Sequence, residues 1–237
     1  MSDLPSFSTT AFLIADPARA IMLTALLDGR ALPAGELAYA AGVTAQTASS
    51  HLAKLLEGGL LSLEAEGRHR YYRLAGPQVA QALEYLAAIR PADPIKHKPL
   101  SPKGRELRFC RRCYDHLAGQ IGVAVTESLA ERDLIRPAAE KKFEVTPAGA
   151  DWFRELGVEV AALKPTRRGL ARQCLDWTER AHHMAGPLGA EFMRKMAELG
   201  WVRQAKDSRA VAVTPKGWIE LKRRLGVDEA AARVAKA

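Results

Sequence analysis

The stretch from Val43 to Leu74, VTAQTASSHLAKLLEGGLLSLEAEGRHRYYRL, restricts the fold more than any other part of the chain. Thr44 can cap a helix through its hydroxyl, and Ala48, Leu52, Leu55 and Leu56 recur behind it at helical spacing. The opposite face carries Gln46, Thr47, Ser49, Ser50, His51 and Lys54, short hydrogen-bonding groups that let a helix approach base edges in a major groove. Gly58 and Gly59 stop the helix where a left-handed residue is wanted. Two β-rich runs follow, Leu60–Leu63 and His69–Leu74, joined by a turn over Glu64–Arg68. The tip, GRHRYYR, concentrates cations that can straddle a phosphate backbone. Upstream, Pro33–Ala41 fits a short helix with proline at its first position, and Gly42 supplies the tight turn. This order is the winged helix-turn-helix plan, although periodicity alone leaves an ordinary helical hairpin in an unrelated core equally open.

Three segments decide between the two readings: the DPxR opening at Asp16–Arg19, the helix TASSHLAKL and the hairpin EGRHRYYRL. Together they make residues 8–90 resemble the ArsR/SmtB family of bacterial regulators. The resemblance implies a DNA-binding domain over residues 1–92, with a dimer interface built from its first and last helices. Gln46, Thr47, Ser49, Ser50 and His51 are expected to read bases or their phosphates, and the cap Thr44 belongs to the same DNA-binding set. Lys54, Arg68, His69 and Arg70 would mainly hold phosphates. The family's metal positions do not carry over. Glu36–Ala41 contains no cysteine pair, and Pro77–Arg90 lacks the acid and histidine ligands of other members.

Elsewhere in this domain, Ser8–Ala15 is a short apolar helix, and Asp16 caps a second helix running to Asp28 and stopped by Gly29. Gly76–Pro77 opens a helix reaching about Arg90. The net charge of +8 is unevenly spread over the 237 residues. Residues 1–92 hold seven Lys/Arg and eight Asp/Glu, whereas residues 93–112 hold seven against two. Overall basicity is therefore weak support for nucleic-acid binding, and the local placement of Arg68, Arg70 and Arg73 is better support. Pro91–Arg108, rich in proline and cations, reads as a linker or a basic arm, with the boundary segment at 93–108. No apolar run approaches a membrane span, MSDLPSFST has no signal-peptide pattern, and three cysteines do not make a disulfide framework. The expectation is a cytoplasmic protein without a membrane partner.

Beyond Arg108 the chain repeats itself. Residues 109–164 and 170–227 share C-x-D, then H-x-A-G-x-x-G, an amphipathic helix, V-T-P-x-G and a closing L-G-V. Each copy also echoes the winged domain: Glu57–Leu61 corresponds to Glu131–Ile135 and to Glu198–Val202. Thr146–Pro147 and Thr214–Pro215 are cap and first-position pairs. The expected fold is mainly α with small β-hairpins (α+β). A winged helix-turn-helix domain is followed by a domain, 109–237, of two winged-helix-like repeats.

That second domain holds Cys110, Cys113 and Cys174, with His116 and His183. On a helix, Cys110, Cys113 and His116 would share a face, and the duplication could bring a Cys and a His from each half to one centre. A transition metal at Cys113, His116, Cys174 and His183, thiol redox sensing and purely structural cysteines all remain open. No cofactor motif is present. The reading is a dimeric repressor, not an enzyme, on a pseudo-palindromic operator in double-stranded DNA. Its second domain would sense a small-molecule inducer, a metal or an oxidant. The alternatives are a thiol- or metal-dependent enzyme carrying a DNA-binding domain, and a non-inducible chromatin protein.

Overall fold

A computed structural model describes residues 7–66, 69–89, 102–206 and 208–234. Its backbone divides into two units, Met1–Leu83 and Glu84–Ala237.

In the first unit, helix α1 (Ser8–Ala15) meets α2 (Pro17–Ala25) at a corner built by the DPxR segment. Asp16 caps α2 by accepting the Arg19 backbone N–H at 2.9 Å, with Pro17 at the first helical position. Arg19 itself turns back, donating from Nε to the Leu13 carbonyl at 2.6 Å and from Nη2 to that of Phe12 at 2.9 Å. One residue of the motif starts the second helix and another closes the first. A 3-10 turn, Leu26–Asp28, continues α2 to Gly29.

Strand β1 (Leu32–Pro33), α3 (Ala34–Ala41), α4 (Ala45–Glu57) and the hairpin β2 (Leu61–Glu66) and β3 (His69–Leu74) complete the winged motif. Pro33 was expected at the first position of α3. It is instead the extended residue before it, because Leu32 and Pro33 pair with Tyr72 and Tyr71 as a third strand beside the wing. The hairpin is also longer than expected. Glu64, Ala65 and Glu66 pair with Tyr71, Arg70 and His69, so no turn begins at Glu64. Met22, Leu23, Leu26, Leu37, Leu52 and Leu55 form the buried core. Fully burying side chains of this size stabilises by about 1.5–3 kcal/mol each.

Helix α5 (Pro77–Ile89) follows the wing. Residues 90–101 lie outside the described residues, and α6 (Pro102–Phe109) is helical where the linker reading extended to Arg108.

In the second unit both copies run hairpin, helix, hairpin, helix. The first has β4 (Arg111–Arg112), β5 (Leu117–Ala118), α7 (Gly119–Glu131), β6 (Ile135–Ala138), β7 (Lys142–Val145) and α8 (Pro147–Glu155). The second has β8 (Ala171–Leu175), β9 (His182–Ala185), α9 (Gly186–Glu198), β10 (Val202–Gln204), β11 (Val211–Val213) and α10 (Pro215–Leu225), with α11 (Glu229–Val234) after it.

The shared grammar has a geometric basis. Gly59, Asp133 and Gly200 follow α4, α7 and α9 with φ of +68°, +56° and +71°. The next residue then bonds back into the helix: Leu60 to Leu55, Leu134 to Leu129, Trp201 to Met196. Thr146 and Thr214 each cap the last helix of their copy, accepting the N–H of Gly149 and of Gly217 at 2.9 Å.

The copies exchange strands. One sheet runs β6-β7-β8-β9, with Phe143 opposite Ala171, so the second hairpin of the first copy extends the first hairpin of the second. Reciprocally, β11 meets β4: Arg111 bridges Ala210, and the Val211 N–H donates to the Cys110 carbonyl at 3.1 Å. Under these strands α7, α8 and α9 bury Ile121, Leu129, Phe153, Leu188, Phe192 and Met196. The Phe153 and Phe192 rings pack edge-on at 5.4 Å.

Candidate functional site

The first candidate surface is the outer face of α4. Ala48, Leu52 and Leu55 are fully buried, which turns Gln46, Thr47, Ser49, Ser50 and Lys54 outward. Thr44 is the cap, accepting the Thr47 N–H at 3.2 Å, and its hydroxyl lies 2.9 Å from that of Thr47. The Ser49 hydroxyl donates to the Ala45 carbonyl at 2.9 Å. His51 departs from the expected reading role. Its Nδ1 is 3.4 Å from Arg19 Nη1 and 3.9 Å from Asp16, so the ring is turned toward the α1–α2 corner rather than off the open face. On the wing, Arg70 is exposed, opposite Ala65. His69 is the first residue of β3, and Arg68 lies outside the described residues. Arg73 pairs with Glu64 across the hairpin.

The second candidate site gathers Cys113, His116, Cys174 and His183, whose ligand atoms all lie within 4.8 Å of one another and whose side chains are buried. Their support is β-structure, not the helix face expected for Cys110, Cys113 and His116. Helix α6 ends at Phe109, and the chain then enters the tight β4–β5 hairpin, closed by the Cys113 N–H donating to the His116 carbonyl at 3.0 Å. In the other copy Cys174 and His183 are direct cross-strand partners on β8 and β9. Cys110 is excluded from the group. It is fully buried among Leu117, Ile121 and their apolar neighbours, which push its thiol up to about 12.

Carboxylates stand behind both imidazoles. Asp115 lies 2.8 Å from His116 Nδ1, and Asp176 lies 3.2 Å from His183 Nδ1, short of a well-aligned hydrogen bond. The two Nε2 atoms face each other at 3.1 Å. Asp176 is fully buried and also accepts from Arg111 Nη2 at 2.9 Å and from the Gly119 N–H at 2.7 Å. Burial alone would raise its carboxyl, but His183 and the Arg111 charge outweigh that and hold it far below the carboxylate range. The thiols interact too. The hydrogen bond with Cys174, then burial, pushes the Cys113 thiol up to about 12, while the same bond lowers Cys174.

Two partners of this group were not singled out in the sequence. Glu84, buried on α5, accepts from Cys113 Sγ at 3.3 Å and pairs with Arg209. Arg209 also donates to the Cys113 carbonyl at 2.9 Å. Ala80 and Ala88, four residues either side of Glu84 and both buried, place it on an inward face, but small alanines mark that face only weakly in the sequence.

A buried apolar stripe, an exposed hydrogen-bonding helix and a hairpin presenting Arg70 define a winged helix-turn-helix DNA-binding protein. Residues 14–64 match the family described as a helix-turn-helix domain. The helix-turn-helix-type transcriptional regulator YdfF of Bacillus subtilis is 44% identical over 223 residues, 94% of this chain and 98% of that protein. The regulator CmtR of Mycobacterium tuberculosis is 42% identical over 76 residues, 32% of this chain, a match spanning 64% of its own length. The solution structure of a homodimeric winged helix-turn-helix domain from Mycobacterium bovis is 27% identical, covering 38% of this chain and 89% of its own, with a TM-score of 0.33. The chain belongs to the helix-turn-helix-type transcriptional regulators. It is a DNA-binding transcriptional regulator. Among the described residues, no single helix is long and apolar enough to cross a membrane.

Proposed function

We propose that the protein is a cytoplasmic repressor, a homodimer whose two protomers bind a pseudo-palindromic operator through α4 and the wing. The observation that carries this reading is the split of α4 into a buried apolar face and an exposed face of Gln46, Thr47, Ser49, Ser50 and Lys54. Such a helix reads base edges in the major groove while Arg70 and Lys54 hold phosphates. Association into a dimer is supported by Phe7 beside α1 and Phe12 on it, 82% and 72% exposed. Residues 109–237, within the second unit, act as the sensing region, are not catalytic, and shift the dimer between DNA-competent and incompetent arrangements.

Selection of bound duplexes from a random pool tests the reading. The expected product is a two-fold symmetric sequence with half-sites about one helical turn apart. Recovery of duplexes with no shared sequence would sink it and would favour a chromatin protein.

A further inference from the structure

We infer that Cys113, His116, Cys174 and His183 form a tetrahedral site for one divalent d10 metal ion, zinc in the first instance. Each repeat contributes one cysteine and one histidine. The inference deepens the sensing role proposed above by naming its ligand, but its geometry stands without DNA.

If Asp115 holds the proton of His116 on Nδ1, the Nε2 of that ring is an acceptor. If Asp176 does the same for His183, two acceptor nitrogens confront each other at 3.1 Å in a site closed to solvent. If His183 instead carries its proton on Nε2, its Nδ1 lone pair faces a carboxylate 3.2 Å away. Either arrangement of neutral rings leaves a buried repulsion that a cation between the rings removes. An ion with Zn–N of roughly 2.05 Å and Zn–S of about 2.3 Å holds its nitrogens about 3.3 Å apart and its sulfurs about 3.8 Å apart. The observed nitrogen separation fits that cage, and the 4.8 Å limit on every pair leaves the sulfurs about 1 Å or less to close on the ion.

Charge and supporting contacts agree. Binding displaces one proton from each thiol, and a dication with two thiolates and two neutral imidazoles adds no net charge to the interior. A carboxylate behind each ligating imidazole fixes its tautomer and raises its basicity. Cys113 now donates to Glu84. Coordination takes that proton, leaves Glu84 with Arg209, and so links occupancy to the helix α5 that carries Glu84.

Cobalt(II) titration of the chelator-stripped full chain tests the site, because a tetrahedral thiolate complex absorbs in the visible and, by charge transfer, in the near ultraviolet. The expected result is saturation at one ion per chain, displacement by zinc, and loss of the near-ultraviolet band in Cys113→Ser/Cys174→Ser. Cys110→Ala should keep the band at full strength. Far-ultraviolet circular dichroism of each variant separates loss of a ligand from loss of the fold. His116→Asn, in a folded protein, should abolish the tetrahedral visible spectrum. A band that survives loss of both cysteines would overturn the inference, as would no thiolate band in folded wild-type protein. So would one free thiol per chain denatured without reductant, which would place a Cys113–Cys174 disulfide there instead. The titration contains no DNA, so failure of the site and failure of operator recognition are separate results.

Discussion

Gly189 packs against His116: a methyl group added to the glycine would lie 3.4 Å from the His116 Cβ and 2.4 Å from the Met184 carbonyl oxygen. Gly122 stands in the same relation to His183, at 3.7 Å, and to the Leu117 carbonyl oxygen, at 2.7 Å. Alanine normally improves a helix by up to about 1 kcal/mol over glycine. Here the obstacle is rigid backbone, so Gly189→Ala and Gly122→Ala should each destabilise by about 1–3 kcal/mol, read as a lower urea midpoint. Gains in stability would mean that the helices do not press on the hairpins.

Asp176→Asn should be among the most damaging substitutions in the second unit. It leaves the buried Arg111 guanidinium, 1% exposed, without its counter-charge. Removing one partner of such a pair costs roughly 3–5 kcal/mol. It also loosens His183, so ion affinity in protein that remains folded should drop about 10–100-fold. Denaturation followed by competition with a chromophoric chelator measures both.

Acid should weaken the cap that Asp16 places on α2. The Arg19 backbone N–H lowers the carboxyl below its ordinary value, ahead of a small opposing effect of burial. A depressed folded value means the carboxylate stabilises the first unit above the unfolded pKa, and that this contribution fades as pH falls through the folded one. Asp16→Ala should therefore cost about 1 kcal/mol at neutral pH, with the difference from wild type shrinking on acidification. Parallel denaturation curves at the two pH extremes check it; a constant gap would refute the capping role.

On DNA, Gln46→Ala and Ser50→Ala should lose on the order of 1–3 kcal/mol at particular operator positions only. Arg70→Ala should weaken operator and scrambled duplexes alike and reduce the salt slope by about one unit. Salt titrations on both duplexes tell these apart, and an unchanged slope would remove Arg70 from the interface.

Much of this was legible because it rests on local chemistry. The cap at Thr44, the glycine at 59 and the threonine–proline pairs each impose their conformation within a few residues. The duplication could be read from C-x-D, H-x-A-G-x-x-G and V-T-P-x-G together, and it made the meeting of Cys113, His116, Cys174 and His183 one of the open possibilities. Cys110 was misplaced because no glycine or proline marks the end of α6 at Phe109, so the i, i+3 spacing suggested a helix where a hairpin begins. His51 could not be separated from its neighbours on α4, since its partner Arg19 lies far away in sequence. Glu84 resembles any acid on a solvated helix until Cys113 and Arg209 are seen around it.

The exchange of hairpins between the two copies also sets a clock on synthesis. The edge strand β4 waits for β11, which leaves the ribosome roughly a hundred residues later. Until then the nascent first copy displays an open sheet edge, and its best available mate is the same strand on a neighbouring chain. Overproduction should accordingly favour swapped assemblies in which halves of different molecules complete each other.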